Sequence, residues 1–186
     1  HSPVSRILGE PGRLVVNAGR GRILADKLVL AANAWMAHLP EFSPSVVVVS
    51  SDIVITDPIP ELLERLGMRQ RPGGVNSRLM LNYGGLTPDG RVFVGRGGGT
   101  LAFAARVGPA FDWSPKQAAE VEEDFRFLYP ELREVPVARA WAGPVDRSTT
   151  GLPWFGRLRE DGGEGRVGHL DEGHLERWGV QAVAGG

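Results

Sequence analysis

The chain has 186 residues with 21 basic and 22 acidic side chains, a net charge of −1, 42% hydrophobic residues and no cysteine. That composition permits an ordinary core and gives no electrostatic ground for binding nucleic acid or an acidic membrane surface. It rules out disulfides, thiolate catalysis and Cys-ligated metal, and fits a cytoplasmic protein.

Several broad features follow from the same reading. The apolar run Val46–Val49 is far too short to span a bilayer. The N-terminus HSPVSRILGE has no initiator Met and no apolar signal core, which suggests a start partway through a longer protein. Gly 26 and Pro 14 together favour many turns over a helical bundle.

In chain order, Arg13–Asn17 and Arg22–Leu24 read as short strands around the turn Ala18-Gly19-Arg20-Gly21. Lys27–Ala31 (KLVLA) lacks alternation, as strands buried on both faces do. It ends in the small residues Ala32, Asn33 and Ala34 and then Trp35. Small residues at a strand's C-terminal end let a ligand approach the backbone, the position where open α/β sheets bind ligands. The competing reading packs Trp35 into the core.

Val46–Thr56 (VVVVSSDIVIT) is the most strand-like segment and stops before Pro58 and Pro60. Glu61–Leu66 predicts a short helix with Gly67 just past its end. Arg69–Arg78 is a basic, exposed loop. Leu79–Tyr83 and Arg91–Gly95 read as a hairpin around Thr87-Pro88-Asp89-Gly90. The run Gly95-Arg96-Gly97-Gly98-Gly99 is not a GxGxxG fingerprint, and reads as a lid or bulge.

Ser114 predicts an N-cap, with Pro115 at N1 and Gln117 completing a capping box. Ala118, Val121, Phe125 and Leu128 make one apolar face of that helix. Glu120, Glu122, Glu123 and Asp124 fall on its polar side, where solvated carboxylates are expected.

Arg139–Gly156 (RAWAGPVDRSTTGLPWFG) reads as a strand that breaks at Gly143 and Pro144. Asp146, Arg147, Ser148, Thr149 and Thr150 then lie on an ordered polar loop. The polar pair Asp146–Arg147 is either solvated or functional. Beyond Gly156 no period survives. His169 and His174, five apart, would not share a helical face as an HExxH pair does, so no metal site is expected. The scattered His residues make no triad.

Taken together, residues 4–157 resemble the C-terminal half of FAD-dependent oxidoreductases of the D-amino-acid oxidase superfamily. That group includes glycine oxidase, sarcosine oxidase and gamma-glutamylputrescine oxidase. The matching pieces are HSPV (His1–Val4), ADKLVLAANAW (Ala25–Trp35), TPDGRVFVG (Thr87–Gly95), the acidic helix ending in LYPEL, and WAGPVDRSTTGLPWFG. The resemblance implies an α+β fold: an antiparallel-sheet substrate domain with helices, flanked by partial pieces of a Rossmann-like FAD-binding domain. It divides the chain into residues 1–44 (final strands of the FAD domain), 45–137 (substrate domain) and 138–157 (return to the FAD domain). Residues 158–186 remain an unassigned, aberrant-looking tail without resemblance to the family.

The implied activity is oxidation of an amine or amino acid by hydride transfer to the flavin, followed by imine hydrolysis. FAD is the implied cofactor and a small-molecule amine the implied partner. The resemblance places Val4 against the adenine end of FAD and Ala31, Ala32, Asn33, Ala34 and Trp35 at the flavin-facing strand end. Gly143 then passes the flavin ring, and Tyr83 and Val145 line the amine pocket. Where glycine oxidase holds the substrate carboxylate with an arginine, this chain has Val145. Arg147 could substitute, and Asp146 could pair with a cationic amine or with Arg147. A valine cannot pair a carboxylate, so an amine larger than a simple α-amino acid is as well supported.

The N-terminal GxGxxG segment and the later GxSGxG-type motif are missing, which argues against tight FAD binding by this chain alone. Two other functional classes therefore stand beside the enzyme fragment. One is a cofactor-free binding module using Tyr83, Trp113 and Gly95–Gly99. The other is an inactive truncated product, whose sign would be aggregation through open strand edges.

Overall fold

A computed structural model describes residues 4–10, 13–40, 42–69, 73–78 and 80–152, and the backbone of 155–156, 158–160, 167–170 and 180–183. Strands β1 (Val4–Glu10), β2 (Arg13–Ala18), β3 (Gly21–Ala25) and β4 (Leu28–Leu30) come first. Next are β5 (Val46–Thr56), helix α1 (Pro60–Arg65), β6 (Gly74–Val75), β7 (Asn82–Leu86) and β8 (Val92–Leu101). Helix α2 (Pro115–Leu128) and β9 (Val137–Ser148) precede the short strands β10 (Phe155–Gly156), β11 (Leu158–Glu160), β12 (Val167–Leu170) and β13 (Val180–Val183). The fold is α+β. It divides into two compact units: His1–Val47 with Asp146–Gly186, and Val48–Val145.

The first unit is built from small sheets. β1, β2 and β3 form an antiparallel meander, with Leu14, Val15 and Val16 buried consecutively on the central strand. Gly19, at φ 58, supplies the left-handed residue of the β2–β3 turn. β4 pairs in parallel with β13, and β13 pairs antiparallel with β10. The tail thus contributes a strand that no hydrophobic period announces. β4 departs from the expected run buried on both faces. It lies at the edge of its sheet, and although Leu30 is buried, Val29 is 54% exposed. After β4, Asn33–His38 forms a 3-10 helix that buries Ala34, Met36 and Ala37.

The second unit is one five-stranded sheet, order β6-β7-β8-β5-β9, with helices on one face. On β5 the even positions Val48, Ser50, Asp52, Val54 and Thr56 are buried, while Ser51, Ile53 and Ile55 are half-buried. That period of two is what a strand with one face against a core requires. Val54, Val92 and Val94 of the sheet pack against Leu63, Val121, Phe125 and Leu132.

α2 begins as its sequence predicts, with Ser114 Oγ accepting from Gln117 N. Only half of the capping box forms, because the Gln117 amide reaches away to donate to Gly99 O at 3.0 Å. α1 ends in a Schellman motif: Gly67, at φ 66, donates to Glu64 O, and Met68 N donates to Leu63 O at 2.8 Å. The hairpin turn closes through Gly90 N to Thr87 O, but its strands start later than expected, at Asn82 and Val92.

β8 runs through the glycine cluster rather than leaving it as a lid. The register jumps from Ser51↔Gly97 to Val49↔Leu101, so a bulge absorbs the extra residues, with Gly98 at φ 81. β9 likewise runs through Gly143 and Pro144, where a break was expected. β9 is an edge strand, the place in a sheet where a proline is tolerated.

Candidate functional site

In the first unit, the C-terminal end of β4 meets the end of β9. Ala31 and Ala32 are exposed, and Asn33 adopts φ 51, a left-handed conformation that Asn tolerates better than most residues. That turn aims Asn33 Oδ1 at Asp146 N, which donates to it at 2.7 Å across 113 residues of sequence. Trp35 is 55% exposed, so the core reading of this aromatic fails, while Ala34 is fully buried. Val4 is exposed on β1, where it pairs with Ala18.

Asp146 is the unusual group of this unit. It is only 7% exposed, and its Oδ2 has no hydrogen-bond partner among the described residues. Burial raises its carboxyl above the usual range, opposed by a hydrogen bond from its own backbone N–H. Arg147 is the next strand position and so leaves the opposite face, which disfavours a simple Asp146–Arg147 pair. The loop beyond is held by Thr149 N to Ser45 O at 3.1 Å and by Ser148 Oγ to Leu152 O at 2.7 Å.

The second unit holds Tyr83, Gly143 and Val145. Gly143 and Val145 are half-buried on β9, and the space where a side chain at 143 would start is open. The Tyr83 phenol oxygen lies 2.7 Å from Ser51 Oγ. Under α2 sits a polar network that the acidic helix announced only in part. Arg96 pairs with Glu120 at 3.1 Å and lies 3.6 Å from Asp124. Asn82 Nδ2 donates to Asp124 Oδ2 at 2.6 Å, and Arg126 pairs with Glu122 at 2.7 Å. These carboxylates are therefore engaged rather than merely solvated.

Asp52, 3% exposed, accepts from Ser50 Oγ at 2.6 Å. Burial pushes its carboxyl up, with the Ser50 hydrogen bond and the Arg96 charge acting against that rise. Ser50 Oγ in turn accepts from Thr100 N at 2.7 Å, which ties the network to the β8 bulge. The sequence carried a signal for Asp52 and Ser50: both occupy inward positions of a strand with a period of two.

Among the described residues, no cluster of His, Asp and Glu could hold a metal ion, and no helix is long and apolar enough to cross a membrane. His169 and His174 lie outside the residues whose side chains are described.

A family model described as "FAD dependent oxidoreductase" matches residues 1–186. The chain belongs to that family. The match runs through residues 158–186, the stretch in which the quoted motifs found no likeness. One relative, the "Probable oxidoreductase OrdL" of Haemophilus influenzae, is 22% identical over 162 residues, covering 84% of this chain and 35% of its own length. L-proline dehydrogenase from P. horikoshii superposes with a TM-score of 0.66 at 21% identity, covering 99% of this chain and 44% of that one. Glycine oxidase from Geobacillus kaustophilus does so with a TM-score of 0.61 at 18% identity, covering 99% and 42%. The chain spans about a third of the curated relatives it matches.

FAD is the cofactor of this family. Two features of the first unit fit such a ligand. Ala31 and Ala32 leave the strand end accessible to a flat group, and the orphaned Asp146 Oδ2 is a buried acceptor for a hydroxyl or N–H.

Proposed function

We propose that this chain is part of an FAD-dependent oxidoreductase that oxidises an amine or amino acid, with the imine product hydrolysed in water. FAD, when bound, supplies the hydride acceptor. The chain's own residues bind and orient. The exposed strand end Ala31–Asn33, with Trp35 beside it and Val4 toward the adenine end, holds the cofactor. Ala34 contributes through its backbone, since its side chain is buried.

Tyr83 and Val145 line the amine pocket. In the first unit, Asp146 Oδ2 accepts a hydrogen bond from the bound cofactor or from a cationic amine, and Arg147 is the remaining candidate for a substrate carboxylate. Val145 offers no charge for a carboxylate, so the favoured substrate is an amine with apolar bulk rather than a small α-amino acid.

The observation that carries this reading is the Asn33–Asp146 clasp. It ties an accessible strand end to a buried, unsatisfied carboxylate, a combination that costs stability unless a ligand uses it. The test is the visible spectrum of the purified chain after incubation with FAD and desalting. Retained flavin absorbance, reduced in Asp146→Ala, is the expected result. A cooperatively folding but colourless protein would sink the idea that these residues form a cofactor site.

A further inference from the structure

Three strands of the second unit set up an arrangement around Tyr83 that the reading above does not assign. In register, Tyr83 of β7 faces Gly95 of β8, and Ser51 of β5 faces Gly97 of β8. The neighbouring row, Asn82, Arg96 and Asp52, points toward α2, as its contacts with Asp124 and Glu120 require. Alternation therefore sends Tyr83, Gly95, Ser51 and Gly97 to the opposite face of the sheet.

On that face the Tyr83 ring lies across Gly95. A side chain starting at position 95 would overlap the ring carbons and come within 2.5 Å of the phenol oxygen. Having crossed β8, the phenol reaches β5 and meets Ser51 Oγ at 2.7 Å. No other residue type at position 95 lets an aromatic on β7 reach a hydroxyl on β5. Nothing stands within 4 Å of where a side chain at Gly97 would begin, so the surface beside the hydroxyl pair is open.

Two hydroxyls share one mutual bond and use one hydrogen in it. The second O–H has no partner among the described residues, because neither oxygen makes a further side-chain hydrogen bond there. The pair thus offers one free O–H, on Tyr83 or on Ser51, beside a ring held across the Gly95 gap.

We infer that Ser51 is a positioning residue: it locks Tyr83 across the Gly95 gap and directs the single free O–H of the pair at an acceptor group on a bound ligand. This rests on Tyr83 facing the amine, as proposed above. The locking itself is a property of the free chain.

The experiment exploits the tyrosine count: Tyr83 and Tyr129 are the only two. The full chain is labelled with tyrosine carrying 13C at Cζ, and Tyr129→Phe assigns the two resonances. Ser51→Ala is expected to move the Tyr83 resonance toward its position in the urea-unfolded chain while Tyr129 stays in place. Ser51→Thr, which restores a hydroxyl, returns it. Gly95→Ala displaces the ring, and in that background Ser51→Ala has no further effect.

In the FAD-incubated chain, added N-benzylglycine, an amine with apolar bulk and an acceptor carboxylate, is expected to shift Tyr83 in wild type and Ser51→Thr but not in Ser51→Ala. A Tyr83 resonance unchanged by Ser51→Ala overturns the inference, as does an N-benzylglycine shift that survives it in full. A colourless chain that still shows the Ser51 dependence upholds the locking of Tyr83 by Ser51 and counts against the cofactor reading.

Discussion

Gly99→Ala is the most demanding test of the polar network beneath α2. A side chain at 99 would overlap Asp52 Oδ2 and lie 2.9 Å from Ser50 Oγ and 3.0 Å from Gln117 Oε1. Asp52 and Ser50 are both buried, so neither can swing into water to make room. If the carboxylate turns aside, it forfeits the Ser50 bond, about 1.5–3 kcal/mol for a charged acceptor. If the backbone yields instead, overpacking costs about 1–3 kcal/mol and the Gln117 bond to Gly99 O adds about 1 more.

The two routes together bracket a loss of about 1.5–4 kcal/mol, or a melting point lower by roughly 2–4 °C for each of those kilocalories. The control is Gly97→Ala, two residues away, whose new methyl meets nothing within 4 Å. Urea unfolding followed by circular dichroism compares them. In an Asp52→Ala background the Gly99→Ala penalty should shrink, since the two sites are in contact. If Gly99→Ala and Gly97→Ala agree within about half a kcal/mol, the packing described here is wrong.

Two further outcomes follow from the same groups. Burial raises the carboxyls of Asp52 and Asp146, so the folded chain holds these protons more tightly than the unfolded one. Their contribution to stability is present below pH 3.8 and is lost as pH rises through the raised values. Asp52→Asn should therefore flatten the fall in stability between mild acid and neutrality, and an unchanged slope in urea titrations would contradict this. Asn33→Ala should cost about 2–3 kcal/mol, combining a left-handed conformation with the lost bond to Asp146 N, whereas Asn33→Gly should cost only the bond, about 1 kcal/mol. Hydrogen exchange at the Asp146 amide should quicken in both variants, and equal protection in wild type and Asn33→Ala would remove the clasp from the argument.

Much of the second unit was legible in the sequence because its signals are local. Ser114 and Pro115 start α2, Gly67 ends α1, and the β-branched run from Val46 to Thr56 is a strand under any reading. What misled was context. Gly143 and Pro144 look like a break, yet a strand at a sheet edge absorbs them. Gly95–Gly99 read as a lid or a bulge, and the bulge is what forms, but two of those glycines are dictated by Tyr83 and Asp52 lying against them, a relation between residues far apart in sequence. In the first unit, Asn33 and Asp146 were each singled out, but the bond joining them was not readable. Val180–Val183 carried too short an apolar run to announce a partner as distant as Leu28.

The pairing of β13 with β4 has a consequence for how the molecule is made. Leu28 leaves the ribosome about 150 residues before the Val180 it must lie beside. Every element of Val48–Val145 emerges in between, and that unit can be complete before the first has its last strand. During synthesis β4 therefore waits without the strand it pairs with, and a nascent chain stalled before Val180 would present both edges of β4 to chaperones after Val48–Val145 is complete.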